Sequence, residues 1–376
     1  MAIEVDAAAF THIGMEDVCA QEVGLVLGVK PVIGKGLVRF RAPLESVCDF
    51  VYQTRSSIRV VVVLGEKKAS DALLGSAKLV EETDLEGWLD NTTTFACRSS
   101  IPDIGTEVAA ECGGILNDRT SAPVDLDSPS VTMLVHQADD TLLLCVDLSG
   151  DDLSKRDYRI FLGSDSLKGT LAYGLLSLAG YDGRQSLADI FCRSGIITIE
   201  AALLTTGVSP HKHDRNFAFR KLRQTASVDW DKRFDEFDSK HARKAEGTIV
   251  AMDESFGAVA ATKKNAKIAG VHQALEFSRT DLQFLDAKFG KAGLDLIATM
   301  PPQPSARISG APLDKALQQI FYQAEFILKK KGKLALITRS SIERLKELAQ
   351  QYKFLLLKEQ PVFQGQLELR VLIFAK

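Results

Sequence analysis

Four short stretches carry the residue types that could do chemistry on a bound ligand: Asp189-Ile-Phe-Cys-Arg-Ser-Gly195, Met252-Asp253-Glu254, Thr280-Asp281-Leu282 and Met300-Pro301-Pro302-Gln303. In the first, Phe191, Cys192 and Arg193 lead into Ser194 and Gly195, whose small size lets a ligand approach the backbone. A helix starting just after them favours a carboxylate or phosphate at its N-terminus. Asp253, followed by Glu254, can accept both hydroxyls of a ribose. Asp281, followed by Leu282, can accept from an exocyclic amine such as that of adenine. In the fourth stretch the residues before the prolines are held extended, so carbonyls point outward with no helix to satisfy them. Singly, each has a plain structural explanation: a carboxylate after a strand caps a turn, and a lone cysteine is a small buried hydrophobe. Four of them in this order point to a nucleotide-like ligand.

For these stretches to meet, they must end neighbouring strands. From Ser166 onward, helices and strands alternate. Helix "SLKGTLAYGLLSLAG", strand "SLADIF", helix "ITIEAALLTT", strand "GTIVAMD" and helix "SFGAVAATKKNAKIAG" come first. Strands "LEFSRTD" and "LDLIATM", helix "LDKALQQIFYQAEFILKK" and strand "KLALIT" follow. That pattern predicts a doubly wound, mostly parallel α/β sheet, in which ligands sit beyond the carboxyl ends of the strands. The closing "FLLLKEQPVFQGQLELRVLIFAK" reads as an antiparallel hairpin around Gln364-Gly365, added to the sheet edge. Residues 1 to about 65 and about 66 to 160 read as two smaller α+β modules, leaving 161–376 for the doubly wound domain.

The bulk numbers bound the function. A chain of 376 residues, 45% hydrophobic and 25% charged, is that of a globular protein with two or three domains. No apolar run reaches the ~18 residues needed to span a bilayer, and the acidic start "MAIEVDAAAF" does not look like an export signal. No membrane partner is expected. Six cysteines without a CxxC pair fit reduced thiols in the cytoplasm. His211 and His213 lie in "HKHDR", read as a solvated basic loop, and no metal is expected. A net charge of −3 argues against a protein wrapped wholesale in nucleic acid but leaves room for local basic faces, such as "LSKRDYR" and "HKHDRNFAFRKLR".

Beyond these readings, the motifs resemble those of THUMP-domain RNA methyltransferases. "DIFCRSGIITIEAALL" is similar to their "DPFCGSGTIxIEAA", "VAMDESFGAVAATKKNAKIAGV" to "GxDxxxxxVxxAxxNAxxAGV", and "DLIATMPPQ" to "DxIVTNPPYG". The resemblance runs along nearly the whole chain. Its layout is like that of tRNA guanine-N2-methyltransferases: ferredoxin-like domain (1–65), THUMP RNA-binding domain (66–160) and Rossmann-like methyltransferase domain (161–376). It implies S-adenosylmethionine as cofactor, and as acceptor the exocyclic amine of a guanosine in RNA, most simply tRNA. Ser166, Lys168 and the 189–195 loop (Asp189, Phe191, Cys192, Arg193, Ser194, Gly195) would then line the methionine end, Asp253 and Glu254 the ribose, and Asp281 and Leu282 the adenine. Met300, Pro301, Pro302 and Gln303 would hold the target base, with the first proline carbonyl accepting from its amine. Arg98, Lys155, Arg156 and Arg159 would contact RNA phosphates. Met300 stands where the family has asparagine, Gln303 where it has tyrosine, Arg193 where it has glycine and Ile190 where it has proline. These differences leave an alternative, a catalytically impaired relative that binds tRNA or rRNA without turnover.

Overall fold

The computed structural model describes residues 3–162, 167–305 and 308–376. They gather into two compact units, one built from residues 1–11, 19–153 and 215–234, the other from 12–18, 154–214 and 235–376. Among the described residues no helix is long and apolar enough to cross a membrane.

The first unit contains β1 (Glu4–Phe10), α1 (Glu16–Leu27), β2 (Val32–Gly34), β3 (Leu37–Pro43), α2 (Leu44–Gln53) and β4 (Arg59–Lys68). It continues with α3 (Ala72–Glu82), β5 (Phe95–Ser99), α4 (Gly105–Thr120), β6 (Val131–Ala138) and β7 (Thr141–Asp147). One seven-stranded sheet runs β2-β3-β1-β4-β7-β6-β5. Valine-rich β4 sits in its middle, paired antiparallel with β1 and β7. Its β-branched residues Val60 to Val63 are buried, as the pleat of a central strand favours. The basic run "HKHDRNFAFRKLR" turns out to be partly core. Phe217, Phe219, Trp230 and Phe234 cluster with Tyr52, whose ring stacks on Phe234 at 4.1 Å. Arg220 pairs with Asp231, Arg223 with Asp90, and Arg233 forks onto Asp49 at 2.6 and 2.7 Å. The run's Phe217 and Phe219 are therefore buried, while its Arg220 and Arg223 answer the unit's own carboxylates.

The second unit holds α5 (Gly169–Ala179), β8 (Leu187–Asp189), α6 (Ile196–Thr206) and most of α7 (Trp230–His241). After these come β9 (Ile249–Asp253), α8 (Phe256–Ile268), β10 (Glu276–Arg279), α9 (Leu285–Phe289), β11 (Leu294–Thr299) and α10 (Gly310–Ile327). The chain closes with β12 (Leu328–Thr338), α11 (Ile342–Gln351), β13 (Leu355–Gln364) and β14 (Leu367–Ala375). The seven strands run β10-β9-β8-β11-β12-β14-β13, parallel from β10 to β12. The hairpin enters antiparallel, β14 against β12, as the sequence predicts. Helices cover both faces. Leu171, Leu175, Ile197 and Leu203 of α5 and α6 pack in one core, and Leu317, Phe321 and Leu348 of α10 and α11 in the other. From β8 the chain winds outward to β9 and β10, then returns to the other side of β8 for β11 and β12. The ends of β8 and β11 therefore flank the switch point, where such sheets open a crevice.

Candidate active site

The loop after β8 is held in a conformation that its glycine and arginine both have to adopt. Gly195 has φ +88° and caps α6, while Arg193 has φ +50°, also left-handed. A Cβ on Gly195 would meet Thr262 Cγ2 at 2.5 Å, so the close packing of α8 excludes any side chain there. Asp189 is buried; its Oδ1 accepts from the Thr299 hydroxyl at 2.6 Å and from the Phe191 amide at 3.2 Å. Burial pushes its carboxyl up to about 7. Cys192 is buried as well, and burial, with help from Asp189, drives its thiol far above the ordinary range, which leaves it inert as a nucleophile.

Two residues that sequence reading missed fix this loop from α8. Thr262 donates to the Arg193 carbonyl at 3.1 Å and to Cys192 Sγ at 3.4 Å. Asn265 donates to the Ser194 carbonyl at 2.9 Å and also bonds both backbone groups of Phe161. Both side chains are fully buried. The signal was present in "ATKKNAKI": two polar residues three apart on the apolar face of a helix need partners.

Asp253, at the end of β9, is largely buried, with both carboxylate oxygens engaged by backbone amides: Arg193 N at 3.1 Å and Ser255 N at 2.9 Å. It thereby joins the β8 loop to the start of α8. Beside it a pocket of about 540 Å³ is lined by Glu254, Ser255, Arg279 and Asp281. Asp281 is exposed and caps the following turn through the Gln283 amide. Leu282 and Phe191 pack on the core beneath.

At the end of β11, Met300 packs against the core with α5 and α6, and presents no polar group. Pro301 is buried, and its carbonyl accepts two hydrogen bonds, from Arg193 Nη2 at 3.1 Å and from Gln303 Nε2 at 2.8 Å. The Gln303 side chain is turned toward the end of β12, where it also bonds Thr338, the Arg339 amide and the Ser340 hydroxyl. Pro302 is half-buried. The structure thus brings together the 189–195 loop, Asp253 and the 300–303 loop, with Glu254 and Asp281 on the adjoining pocket.

The remaining expected residues divide. Ser166 lies outside the described residues. Lys168 precedes α5, its amide donating to Gln364. Lys155 is exposed, Arg159 half-buried and bonded to the Leu167 carbonyl, and Arg98 exposed with a bond to the Leu126 carbonyl. Arg156 is not the surface phosphate contact expected. It is buried and paired with Glu200 of α6 at 2.7 Å, and Tyr158 donates to the same carboxylate oxygen at 2.7 Å. Gly169 leaves room for this pair, since a Cβ there would come within 2.5 Å of Arg156 Nε. Glu200 sits on the otherwise apolar helix "IITIEAALLTT", and a charge buried there demands a partner. His211 is buried rather than solvated, and no group of three or more metal-ligating side chains occurs among the described residues.

Comparison with known proteins agrees with this geometry. Residues 156–371 match the model of the UPF0020 family, "RMKL-like, methyltransferase domain". The tRNA (guanine(6)-N2)-methyltransferase of Methanocaldococcus jannaschii is 28% identical over 321 residues, covering 81% of this chain and 82% of its own. The ribosomal RNA large subunit methyltransferase K/L of Alteromonas mediterranea is 28% identical over 72% of this chain, which spans only 40% of that longer protein. SMU.472, solved in complex with SAH, superposes with a TM-score of 0.82 at 20% identity, covering 100% of this chain and 98% of its own. TrmN from Thermus thermophilus gives 0.70 at 23% identity, with 99% of both chains covered. At these identities the solved structures share the fold. With more than half of its length matched by one family model, and with the sheet order and strand-end residues described above, the chain belongs to the UPF0020 family of RMKL-like methyltransferase domains.

Proposed function

We propose that this methyltransferase uses S-adenosylmethionine to methylate RNA, at the exocyclic N2 of a guanosine in tRNA. The observation that carries the reading is the convergence at the switch point of the Gly195 loop, Asp253 and the Pro301 carbonyl, beside a pocket edged with carboxylates. The donor set suits the cofactor. Asp253 and Glu254 would accept from the ribose hydroxyls and Asp281 from the adenine amine, while residues 191–195, with Ser166 and Lys168, would receive the methionine end. When bound, S-adenosylmethionine supplies an electrophilic methyl group on a sulfonium. The acceptor nitrogen is a poor nucleophile because its lone pair is delocalised into the ring. A carbonyl accepting one of its N–H bonds, the role proposed for Pro301, would turn the lone pair outward. Met300 adds no second acceptor, and such a contact is worth on the order of 3 kcal/mol. Residues 1–65 and 66–160 are proposed as the ferredoxin-like and THUMP RNA-binding modules, with Arg98, Lys155 and Arg159 as phosphate contacts.

Similarity to the archaeal tRNA enzyme over four-fifths of the chain supports guanine N2 and tRNA; similarity to the ribosomal RNA enzymes supports RNA more broadly. Apolar Met300 favours a second reading, an RNA-binding relative without turnover. Incubating the full chain with bulk tRNA, bulk rRNA and radiolabelled S-adenosylmethionine, then digesting to nucleosides, decides between them. Label in N2-methylguanosine from tRNA is the expected result. Label in another nucleoside or in rRNA alone overturns the specificity, and RNA binding without label supports the second reading.

A further inference from the structure

The Pro301 carbonyl has two lone pairs and already accepts two hydrogen bonds. An acceptor amine can use it only if one donor leaves. Gln303 is fixed through Thr338, Arg339 and Ser340, all at the end of β12. Arg193, by contrast, has this as its one side-chain hydrogen bond among the described residues, at 3.1 Å, and its side chain is only half-buried. Its backbone stays pinned by Asp253 and Thr262, so the head can swing without the loop moving. Arg193 is therefore the donor that yields.

We infer that the Arg193 guanidinium is an internal occupant of the methyl-acceptor position, and that it admits acceptors that carry a phosphate. A bare nucleoside must displace the guanidinium from Pro301 and give it nothing in return. A nucleotide offers a phosphate, on which the guanidinium can make a bidentate bond between opposite charges in place of its single bond to a neutral carbonyl. The substrate class selected is then a nucleotide within a strand rather than a free nucleoside or small amine. This inference rests on the proposed function only in taking the Pro301 carbonyl as the place where an acceptor amine docks.

Calorimetry on the full-length wild type and on Arg193→Gly, both saturated with S-adenosylhomocysteine, tests it with the four ribonucleosides and their 5′-monophosphates. Glycine accepts the left-handed backbone at residue 193, so the variant keeps the loop. The wild type is expected to prefer a monophosphate over its nucleoside by about tenfold or more. Arg193→Gly is expected to bind that nucleoside about fivefold tighter or more, and to lose most of the phosphate preference. Unchanged nucleoside affinity and unchanged preference for every base overturn the inference, as does absence of binding to both proteins at millimolar ligand. A response to the substitution with a base other than guanine refutes the guanine reading and supports the occupant. Guanine preference without any response does the reverse.

Discussion

Thr299 donates its hydroxyl to Oδ1 of Asp189 at 2.6 Å, joining the ends of the two neighbouring strands that flank the site. The carboxyl it holds is buried and pushed up to about 7. An unfolded aspartate titrates near 4, so between about pH 4 and pH 7 the folded chain keeps a proton that the unfolded chain has lost. Stability contributed by this group therefore falls as pH rises through that window, by on the order of a few kcal/mol. Asp189→Asn keeps an acceptor for Thr299 and removes the titration. Urea unfolding at pH 5 and pH 8 should show a smaller loss of stability on going to pH 8 in the variant than in the wild type. Equal losses in both would place the ionisation elsewhere.

The buried Arg156–Glu200 pair gives a stability test. Glu200→Ala removes the carboxylate that answers the buried Arg156 guanidinium and accepts from the Tyr158 hydroxyl. Breaking such a pair from one side costs about 3–5 kcal/mol. The denaturation midpoint should drop accordingly, whereas Lys155→Ala, at an exposed neighbour, should leave it within about 0.5 kcal/mol.

Removing the Asp253 carboxylate should be felt by the cofactor. Asp253→Ala takes away the proposed acceptor for the ribose and also frees the Arg193 and Ser255 amides that shape the loop. S-adenosylhomocysteine affinity should weaken by about 1–3 kcal/mol in a protein that still melts cooperatively. Asp253→Asn, which retains one acceptor oxygen, should fall between the two. Calorimetry giving wild-type affinity for the alanine variant would take Asp253 out of the site.

Met300→Asn supplies the polar acceptor that β11 lacks at its end. Methyl transfer to tRNA should rise tenfold or more, within the range of one preorganised contact. Gln303→Tyr, the other change toward the family's pattern, should not give the same gain. It breaks the bonds that tie the 300–303 loop to Thr338, Arg339 and Ser340. Initial rates with labelled cofactor separate the two substitutions.

Exposed Arg98 and Lys155 are the clearest of the expected phosphate contacts. In the full chain, Arg98→Glu and Lys155→Glu should each weaken tRNA binding and flatten its dependence on salt by about one counterion. An unchanged slope of log affinity against log salt for both would assign RNA binding to another face.

Much of this was legible from residue order. Hydrophobic periodicity located the strands from β8 to β12, and the turn at Gln364-Gly365 set the hairpin, because one-sided and two-sided burial leave different patterns. The strand-end residues followed from the sheet rule. Helix α11, "IERLKELAQQ", was not read, although its amphipathic spacing was plain. Three other features depended on distant contacts. Arg156 looks like a surface charge until its partner, 44 residues on, is buried beside it. Arg193 looks like a lost glycine, yet it keeps a glycine's backbone and sends its head to Pro301, 108 residues away. "RNFAFRKLR" reads as basic, yet its phenylalanines belong to another unit's core.

That last feature bears on how the protein is made. The chain passes between its two units five times, and residues 215–234 return to complete the first one. Tyr52 waits for Phe217 and Phe234, and Asp49 for Arg233. A ribosome delivering roughly 5–20 residues per second must therefore add some eighty more after Leu153 before the N-terminal unit can close its core. During that interval of several seconds the aromatic face around Tyr52 is exposed to solvent and to any chaperone that binds apolar surface, and a message truncated before codon 234 yields a protein with no finished unit at all.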